Sequence, residues 1–392
     1  MTNNFSPADF LSKKARDLKP SGIRRFFDAA GTITGVISLG VGEPDFATPW
    51  HIRAEAVKAI EKGKTFYTAN RGLAELRQEI SNYINETINV HFDPETEILV
   101  SVGASEAIDA ALRAVVDIGD EVLIPEPSFV CYNPLTVMAG GVPVAIETTE
   151  EFEFKLTPEL LKSKITPRTK ALILPYPNNP TGGIMTKEDL EAIVPIIKET
   201  NLVVISDEIY SELTYRGTHV SIASLPGMRD RTIVLNGFSK SFAMTGWRLG
   251  YLCAHKDIAK AAVKIHQYGI MSAPTFSQYA AIEALRHGRP DIELMKDEYN
   301  RRRKFIVAEL NEMGMDCFNP RGAFYVFPSI KKFGMKSEEF CEKLLHTEKL
   351  AVVPGDAFGE SGEGYVRISY AYSMENLEAA LKRLKKFLKE NF

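Results

Sequence analysis

The chain of 392 residues is 45% hydrophobic and 25% charged, which predicts an ordinary globular protein of about two to three domains. Its net charge of -4 and pI of about 6.1 indicate no basic surface for nucleic acid or an anionic membrane, so we expect small-molecule partners. The four cysteines are far apart in sequence and no segment has the roughly 18 uninterrupted apolar residues of a membrane span, so we predict a cytoplasmic protein without a disulfide framework or a metal site.

The N-terminal region is predicted to be an arm followed by a first short strand. Residues 1–35 form the loosely ordered arm, with an amphipathic segment at residues 22–27. The apolar run at residues 36–39 predicts the strand. Two glycines and Pro44 then predict an irregular loop at residues 40–46, whose backbone can approach a ligand closely. Because Pro44 follows and no third glycine opens a helix, a dinucleotide-binding fingerprint is disfavoured.

A large α/β domain is predicted over residues 48–290. Apolar residues have helical spacing at residues 50–62 and 73–84, and Tyr67 lies on the polar loop between them. From residue 98 onward, short apolar runs alternate with helical segments, which indicates a mostly parallel seven-stranded sheet with helices on both faces. The predicted strands are residues 98–102, 121–124, 142–146, 171–174, 202–206, 232–235 and 249–254.

Residues 291–392 are predicted to form a smaller α+β domain, together with part of the segment at residues 1–47. The basic run at residues 301–304 is predicted to be a solvated helix face, because the acidic pI disfavours nucleic-acid binding. Arg367 stands inside an apolar strand, where a buried arginine needs an anion. A substrate carboxylate is the natural bidentate partner, and an internal ion pair is the alternative.

Ligands of parallel α/β sheets bind outside the carboxyl ends of the strands. The strand at residues 98–102 is followed by a glycine and then by a helix, whose free N–H groups form an anion site. The residues that supply this site are Gly103, Ala104 and Ser105. The ends of the next strands supply Phe129, Asn179, Asp207 and Tyr210. An aromatic ring, an amide, an acid and a phenol are therefore expected at the same edge of the sheet.

The loop after the strand at residues 232–235 carries a lysine and an arginine between two apolar strands. Buried cations need partners, and a phosphorylated aldehyde would supply them. Lys240 can form a Schiff base with the aldehyde, while Ser239 and Arg248 can hold the phosphate by charge-assisted hydrogen bonds. This is the chemistry of pyridoxal 5′-phosphate (PLP). A solvated Lys240 and a structural ion pair of Arg248 are the alternative interpretation.

The neighbouring residues could also interact with bound PLP. Asp207 opposite the pyridine nitrogen would keep that nitrogen protonated, which makes the ring an electron sink. Tyr210 and Asn179 can donate hydrogen bonds to the phenolate oxygen of the ring, and Phe129 can stack on its face. Lys240 can then serve as the general base for the proton shift. The alternative for Asp207 is a helix N-cap or a structural ion pair.

The chain resembles the class I aminotransferases of PLP fold type I, in the branch of aspartate and aromatic aminotransferases. The resemblance runs from about residue 22 to the C-terminus. The motifs that carry it are residues 42–46, the Tyr67 loop, residues 103–105, 179–182 and 207–210, Ser239 and Lys240, residues 245–248, and Arg367.

This resemblance implies a homodimer that moves an amino group between an L-amino acid and a 2-oxo acid by PLP-dependent ping-pong chemistry. The implied catalytic residues are Lys240, Asp207 and Tyr210. The implied cofactor-binding residues are Gly103, Ala104, Ser105, Phe129, Asn179, Asp207, Tyr210, Ser239, Lys240, Arg248 and Tyr67. The implied substrate-binding residues are Gly42, Asn179 and Arg367. Tyr67 would reach the cofactor phosphate of the other subunit, where the alternative is a ring packed on its own surface.

The preferred substrate stays open between several classes. Phe129 occupies a position where aspartate-specific relatives often have Trp, which argues against a strict aspartate preference. The runs at residues 103–111, 175–180 and 211–215 also resemble N-acetyl-diaminopimelate aminotransferases of lysine biosynthesis. A PLP-dependent C–S lyase shares the cofactor residues, and a non-catalytic amino-acid-binding protein would not need Lys240.

Overall fold

The computed structural model describes residues 6–18, 20, 31 and 33–392, so the amphipathic segment predicted at residues 22–27 lies outside the described residues. The described α-helices are α1 (Lys13–Asp17), α2 (Trp50–Glu61), α3 (Ala74–Ile88), α4 (Ala104–Val115), α5 (Tyr132–Ala139), α6 (Pro158–Lys164), α7 (Lys187–Lys198), α8 (Phe238–Ser241), α9 (Lys256–Gly269), α10 (Thr275–His287), α11 (Arg289–Glu312), α12 (Ser337–Glu348) and α13 (Met374–Asn391). Within these residues, no helix combines the length and the apolar composition that a membrane span needs.

The described strands are β1 (Ile37–Ser38), β2 (Ile98–Ser101), β3 (Glu121–Glu126), β4 (Val142–Glu147), β5 (Thr169–Leu174), β6 (Val203–Asp207), β7 (Thr232–Gly237), β8 (Gly250–Cys253), β9 (Tyr325–Val326), β10 (Leu350–Ala351), β11 (Val353–Pro354) and β12 (Val366–Ser369). Seven of them form the large sheet in the order β2-β8-β7-β6-β5-β3-β4. Its pairs are parallel except for the two that β8 makes. The seven predicted strands are confirmed.

Helices cover both faces of the large sheet, as predicted. Along β6, Val204 packs in a core cluster with Ile193 of α7, while the next residue, Ile205, packs with Ala111 of α4. Successive side chains of a strand point to opposite faces. Both faces are therefore buried, which explains why these strands read as continuous apolar runs rather than as alternating ones.

The C-terminal part contains a small sheet in the order β11-β12-β9, which is antiparallel. A separate parallel pair joins β1 to β10, with Ile37 beside Leu350. This pairing attaches the N-terminal segment to the C-terminal part before the chain enters α2. The predicted domain boundary between residues 290 and 291 falls in the first turn of α11, and the division into domains stays a prediction.

The basic run at residues 301–304 is only partly solvated, so the prediction of a solvated face was wrong for its two central arginines. Arg302 and Arg303 are each 5% exposed. Arg302 donates to both carboxylate oxygens of Asp45 at 2.8 and 2.9 Å, and Arg303 donates to the side chain of Asn300. Both arginines are among the residues that α11 buries. The charge of Arg302 is matched by carboxylates, whereas Arg303 is held by neutral acceptors.

Candidate active site

A cavity of about 390 Å³ opens at the carboxyl ends of the parallel strands, between the large sheet and the small sheet. It brings together most of the predicted site residues. Those that line it are Gly42, Ala104, Ser105, Phe129, Asn179, Asp207, Tyr210, Ser239, Lys240, Arg248 and Arg367. Gly103 lies beside the cavity, behind Arg248. Tyr67 does not line the cavity within this chain.

Lys240 lies in α8, a single helical turn that follows β7 directly. Its Nζ atom donates a hydrogen bond to the Gly42 carbonyl at 2.5 Å. Burial lowers the pKa of Lys240 to about 8; the carboxylate of Glu43 opposes this shift, while Arg367 and Arg248 add to it. About a tenth of Lys240 is therefore the free amine at pH 7, and this is the form that attacks a carbonyl carbon.

Asp207 ends β6 and is buried. Its Oδ2 atom accepts from the Tyr132 hydroxyl at 2.8 Å, and Oδ1 accepts from the backbone N–H of Ile209 at 3.2 Å. Burial raises the pKa of Asp207, although these two hydrogen bonds oppose the shift. Asp207 makes no ion pair within the part of the chain that the structure describes. A cation placed beside this carboxylate would stabilise its charged form.

Two tyrosines connect the edge of the large sheet to the small sheet. The hydroxyl groups of Tyr210 and Tyr325 are 2.7 Å apart. Burial, together with Tyr325, raises the pKa of Tyr210 well above its usual value. Tyr210 therefore stays a phenol that can donate a hydrogen bond.

Sequence reasoning missed Tyr132 and Tyr325 as site residues. Tyr132 opens α5 shortly after β3 ends, so an inventory of every polar residue near that strand end would have included it. Tyr325 belongs to the apolar run of β9, and nothing in that run separates it from the neighbouring core residues. Its position is known only from the tertiary structure.

Gly103, Ser105, Ser239 and Arg248 form a corner rich in hydrogen-bond donors. No side chain caps the first turn of α4, so its backbone N–H groups are free to bind an anion. Gly103 has φ of 79°, and a Cβ atom there would lie 2.8 Å from Nη2 of Arg248. Arg248 makes no ion pair with any described residue, contrary to its alternative interpretation. This set of donors fits a phosphate group.

Arg367 in β12 is 3% exposed and lacks a charged partner among the described residues. Its Nη1 atom donates to Oδ1 of Asn179 at 2.8 Å, and Nη2 donates to the Gly40 carbonyl. The Nε atom has no hydrogen-bond partner, and burial lowers the pKa of Arg367. The interpretation as an internal ion pair is therefore wrong for the described chain. A buried guanidinium that lines a cavity and has only neutral partners can bind a carboxylate there.

Tyr67 lies on a loop that α10 holds in place. Thr275 donates to the Phe66 carbonyl at 2.6 Å, and Gln278 donates to the Thr68 hydroxyl at 3.1 Å. The backbone is thus fixed, yet the side chain of Tyr67 is 82% exposed. The ring does not pack on its own chain, so the alternative of a packed surface ring does not hold.

Comparisons with known proteins identify a family and several relatives. The family profile described as aminotransferase class I and II matches residues 34–384. An aspartate aminotransferase from Pyrococcus abyssi is 50% identical over 97% of this chain and 98% of its own length. A Bacillus subtilis protein described as a probable N-acetyl-LL-diaminopimelate aminotransferase is 47% identical over 96% of this chain and 95% of its own.

A solved structure, that of an aromatic aminotransferase from Pyrococcus horikoshii, is also similar to this chain. It has a TM-score of 0.89 at 49% identity and covers 93% of this chain and 99% of its own. The three relatives carry three different substrate names at nearly equal identity. Sequence identity alone therefore does not select the substrate, and the residues of the cavity must be considered.

Proposed function

The chain belongs to the class I and II aminotransferase family, and from this premise we propose that it binds PLP in the cavity and prefers amino acids with neutral, aromatic side chains. The substrate preference is proposed from the positions of the positively charged side chains in the cavity. Among the described residues, the cations that line the cavity are Lys240, Arg248 and Arg367. Each of them has a task in cofactor or α-carboxylate binding, which leaves none among the described residues of this chain for a second carboxylate.

The residues of the cavity fit PLP group by group. Lys240 would attach the aldehyde, and Asp207 would pair with the ring nitrogen. Tyr210 and Asn179 would bind the ring oxygen, and Phe129 would stack on the ring face. The residues that would bind the phosphate are Gly103, Ala104, Ser105, Ser239 and Arg248. When bound, PLP supplies a protonated ring that withdraws electrons from the substrate α-carbon.

Each residue then contributes one step. Arg367 binds the substrate α-carboxylate through its planar fork, with Gly42 beside it. The Nζ atom of Lys240 removes the α-proton and returns it to the adjacent carbon, as a general base and then a general acid. Asp207 holds the proton on the ring nitrogen, and Tyr132 fixes the orientation of its carboxylate.

The side-chain region of the cavity favours uncharged substrates. Much of the remaining lining is apolar, including Val41, Ile108 and Pro177. The carboxylate of Glu43 also lines the cavity and would repel the side chain of aspartate. Burial of an aromatic ring against these residues adds favourable apolar contact.

Half-reactions with single amino acids test the proposal. The spectrum of PLP is followed as tyrosine, phenylalanine, aspartate, alanine or N-acetyl-diaminopimelate is added. We expect kcat/KM for tyrosine to exceed that for aspartate at least tenfold, about 1.4 kcal/mol. A preference for aspartate or N-acetyl-diaminopimelate would refute the substrate assignment. Release of ammonia and pyruvate from a cysteine conjugate, without transamination, would indicate the lyase instead.

We also propose that the site is completed in a homodimer by the exposed Tyr67 of the partner. Lys240→Ala and Tyr67→Asp subunits are each expected to be inactive, because the aspartate would repel the phosphate. When they are mixed, one site of each mixed dimer has both residues intact, and about a quarter of the wild-type activity is expected. No recovery, with subunit exchange confirmed by mass spectrometry, would show that Tyr67 acts within its own subunit, and a Tyr67→Asp enzyme that is active by itself would show that Tyr67 has no role.

A further inference from the structure

A threonine outside the lysine loop holds that loop in place. The loop comprises residues 240–248, and Thr48 lies in the segment before α2, where it is buried. Its Oγ1 atom donates to the Ala243 carbonyl at 2.6 Å and accepts from Nε1 of Trp247 at 2.9 Å. One hydroxyl group therefore connects two points of the loop, which lie just before Arg248 and shortly after Lys240.

The backbone of the loop needs such support. Ala243 has φ of 51° and Arg248 has φ of 54°. Residues other than glycine adopt this left-handed region at an energetic cost, and they stay there only where the surroundings impose it. The loop is thus a strained turn. Both partners of Thr48, Ala243 and Trp247, lie in the stretch from Ala243 to Arg248.

The turn also determines where the guanidinium of Arg248 points. Its Nη1 atom donates to the Thr245 carbonyl at 2.9 Å, within the same turn. No described carboxylate forms an ion pair with it. The direction of the guanidinium therefore depends on the conformation of the turn rather than on a separate anchor.

The segment that carries Thr48 is itself well fixed. Upstream of Thr48, Asp45 is bound by Arg302 of α11 at 2.8 and 2.9 Å, and the side chain of Glu43 makes a further contact with the loop, accepting from the Thr245 hydroxyl at 3.2 Å. The segment of Thr48 is thus anchored to α11 on one side and bonded to the strained turn on the other. This is the arrangement required of a residue that positions another.

We propose that Thr48 is a positioning residue for cofactor binding, whose hydroxyl group fixes the turn that aims Arg248 at the phosphate. The inference rests on the proposed binding of PLP. Without the hydroxyl, the Ala243 carbonyl and the Trp247 indole lose their shared partner, which favours rearrangement of the turn. Binding of the phosphate then weakens, whereas Lys240, in α8, keeps its position.

The test compares two ligands that differ only in the phosphate. Affinities of apoenzyme for PLP and for pyridoxal, which lacks the phosphate, are measured by absorbance titration for wild type, Thr48→Val and Thr48→Ser. Thr232→Val is the matched control, because Thr232 is also buried and its hydroxyl donates to the Met228 carbonyl at 2.8 Å, at the opposite end of β7. Thermal unfolding of each apoenzyme is recorded in parallel.

We expect the Kd for PLP to rise at least tenfold in Thr48→Val and by less than threefold in Thr48→Ser and Thr232→Val, while the Kd for pyridoxal stays within threefold in all of them. Equal losses for PLP and pyridoxal, or a Thr48→Val enzyme that binds PLP like the control, would overturn the inference. If Thr48→Val does not fold, Trp247→Phe, which removes the indole donor and keeps a smaller aromatic ring, undergoes the same comparison. A wild-type chain that binds no PLP would instead refute the proposed function, and this inference with it.

Discussion

The two buried charges of the cavity have different surroundings. Both oxygens of Asp207 accept hydrogen bonds, from Tyr132 and from the backbone of Ile209. Among the described residues, Arg367 has only neutral partners, and its Nε atom has none. In the large-sheet half of the cavity the carboxylate of Asp207 is thus satisfied within the chain, whereas in the small-sheet half Arg367 leaves a buried donor unpaired, which is rare in native proteins.

The difference in hydrogen bonding corresponds to two tasks, catalysis and substrate recognition. Groups that every reaction cycle uses are held by their own neighbours, so they are in place before any substrate binds. A group that recognises the substrate is left incomplete, so the carboxylate gains the whole benefit of pairing with it. Substitutions in the large-sheet half are therefore expected to affect all substrates, and substitutions of Arg367 to affect only those with a carboxylate.

Lys240→Ala removes a central group of the large-sheet half and is expected to have the largest effect on turnover. It removes both the attachment of PLP and the base that moves the α-proton, so turnover of every substrate should fall about 10⁴- to 10⁶-fold while the fold stays intact. The measurements are turnover, and mass spectrometry after borohydride reduction. A variant that kept a reducible covalent bond to PLP and near-normal turnover would show that Lys240 has been misassigned.

Asp207→Asn is expected to come next. A neutral amide no longer stabilises a proton on the ring nitrogen, and loss of one member of a buried ion pair costs about 3 to 5 kcal/mol, or roughly 10²- to 10⁴-fold in rate. PLP should stay bound. Exchange of the substrate α-proton into deuterated water, followed by NMR, measures the step directly. Exchange at the wild-type rate would remove Asp207 from the mechanism.

Arg367→Lys tests the small-sheet half. A lysine side chain cannot pair with both carboxylate oxygens. The transition-state stabilisation obtained from kcat/KM should therefore fall by about 2 to 5 kcal/mol for every amino acid. Amines without a carboxylate should be affected far less. The control is Arg302→Lys, which alters another buried arginine that is paired with Asp45 instead of facing the cavity. Equal losses for amino acids and plain amines would mean that Arg367 only supports the fold.

Tyr132→Phe tests whether the hydrogen bonds within the large-sheet half contribute to the reaction. It leaves Oδ2 of Asp207 without its partner. The lost hydrogen bond to a charged group is worth about 1.5 to 3 kcal/mol, part of which should appear as a fall in kcat of about tenfold, with little change in KM. Tyr83→Phe makes the same chemical change at another buried tyrosine, whose hydroxyl donates to Glu212. If both variants lose only thermal stability, the bond from Tyr132 has no role in the reaction.

The smallest expected effect is a pH dependence. Because burial lowers the pKa of Lys240 to about 8, the fraction of free amine should rise about threefold between pH 7.5 and 8.5 and then level off. The rate at which apoenzyme binds PLP covalently, measured by stopped-flow absorbance, should follow the same curve. A rate that keeps rising tenfold per unit up to about pH 10 would indicate an unperturbed lysine.

Much of the fold could be predicted because its signals are local. The apolar runs of β5, β6 and β7 and the glycine that precedes α4 are short stretches whose meaning does not depend on distant residues. The rule that ligands bind at the carboxyl ends of parallel strands then indicated the position of Asp207 and Lys240. Arg367 was recognisable because a charge inside an apolar strand is unusual.

The sequence by itself determined the order of the strands along the chain and the chemical groups at their ends. Only the tertiary structure decided which distant groups meet: Tyr132 is 75 residues from Asp207, and Thr48 is 195 from Ala243. It also decided that Arg302 is buried and that the pKa of Lys240 falls to about 8. Hydrogen bonds and desolvation depend on distances of a few ångströms in space, which separation along the chain does not specify.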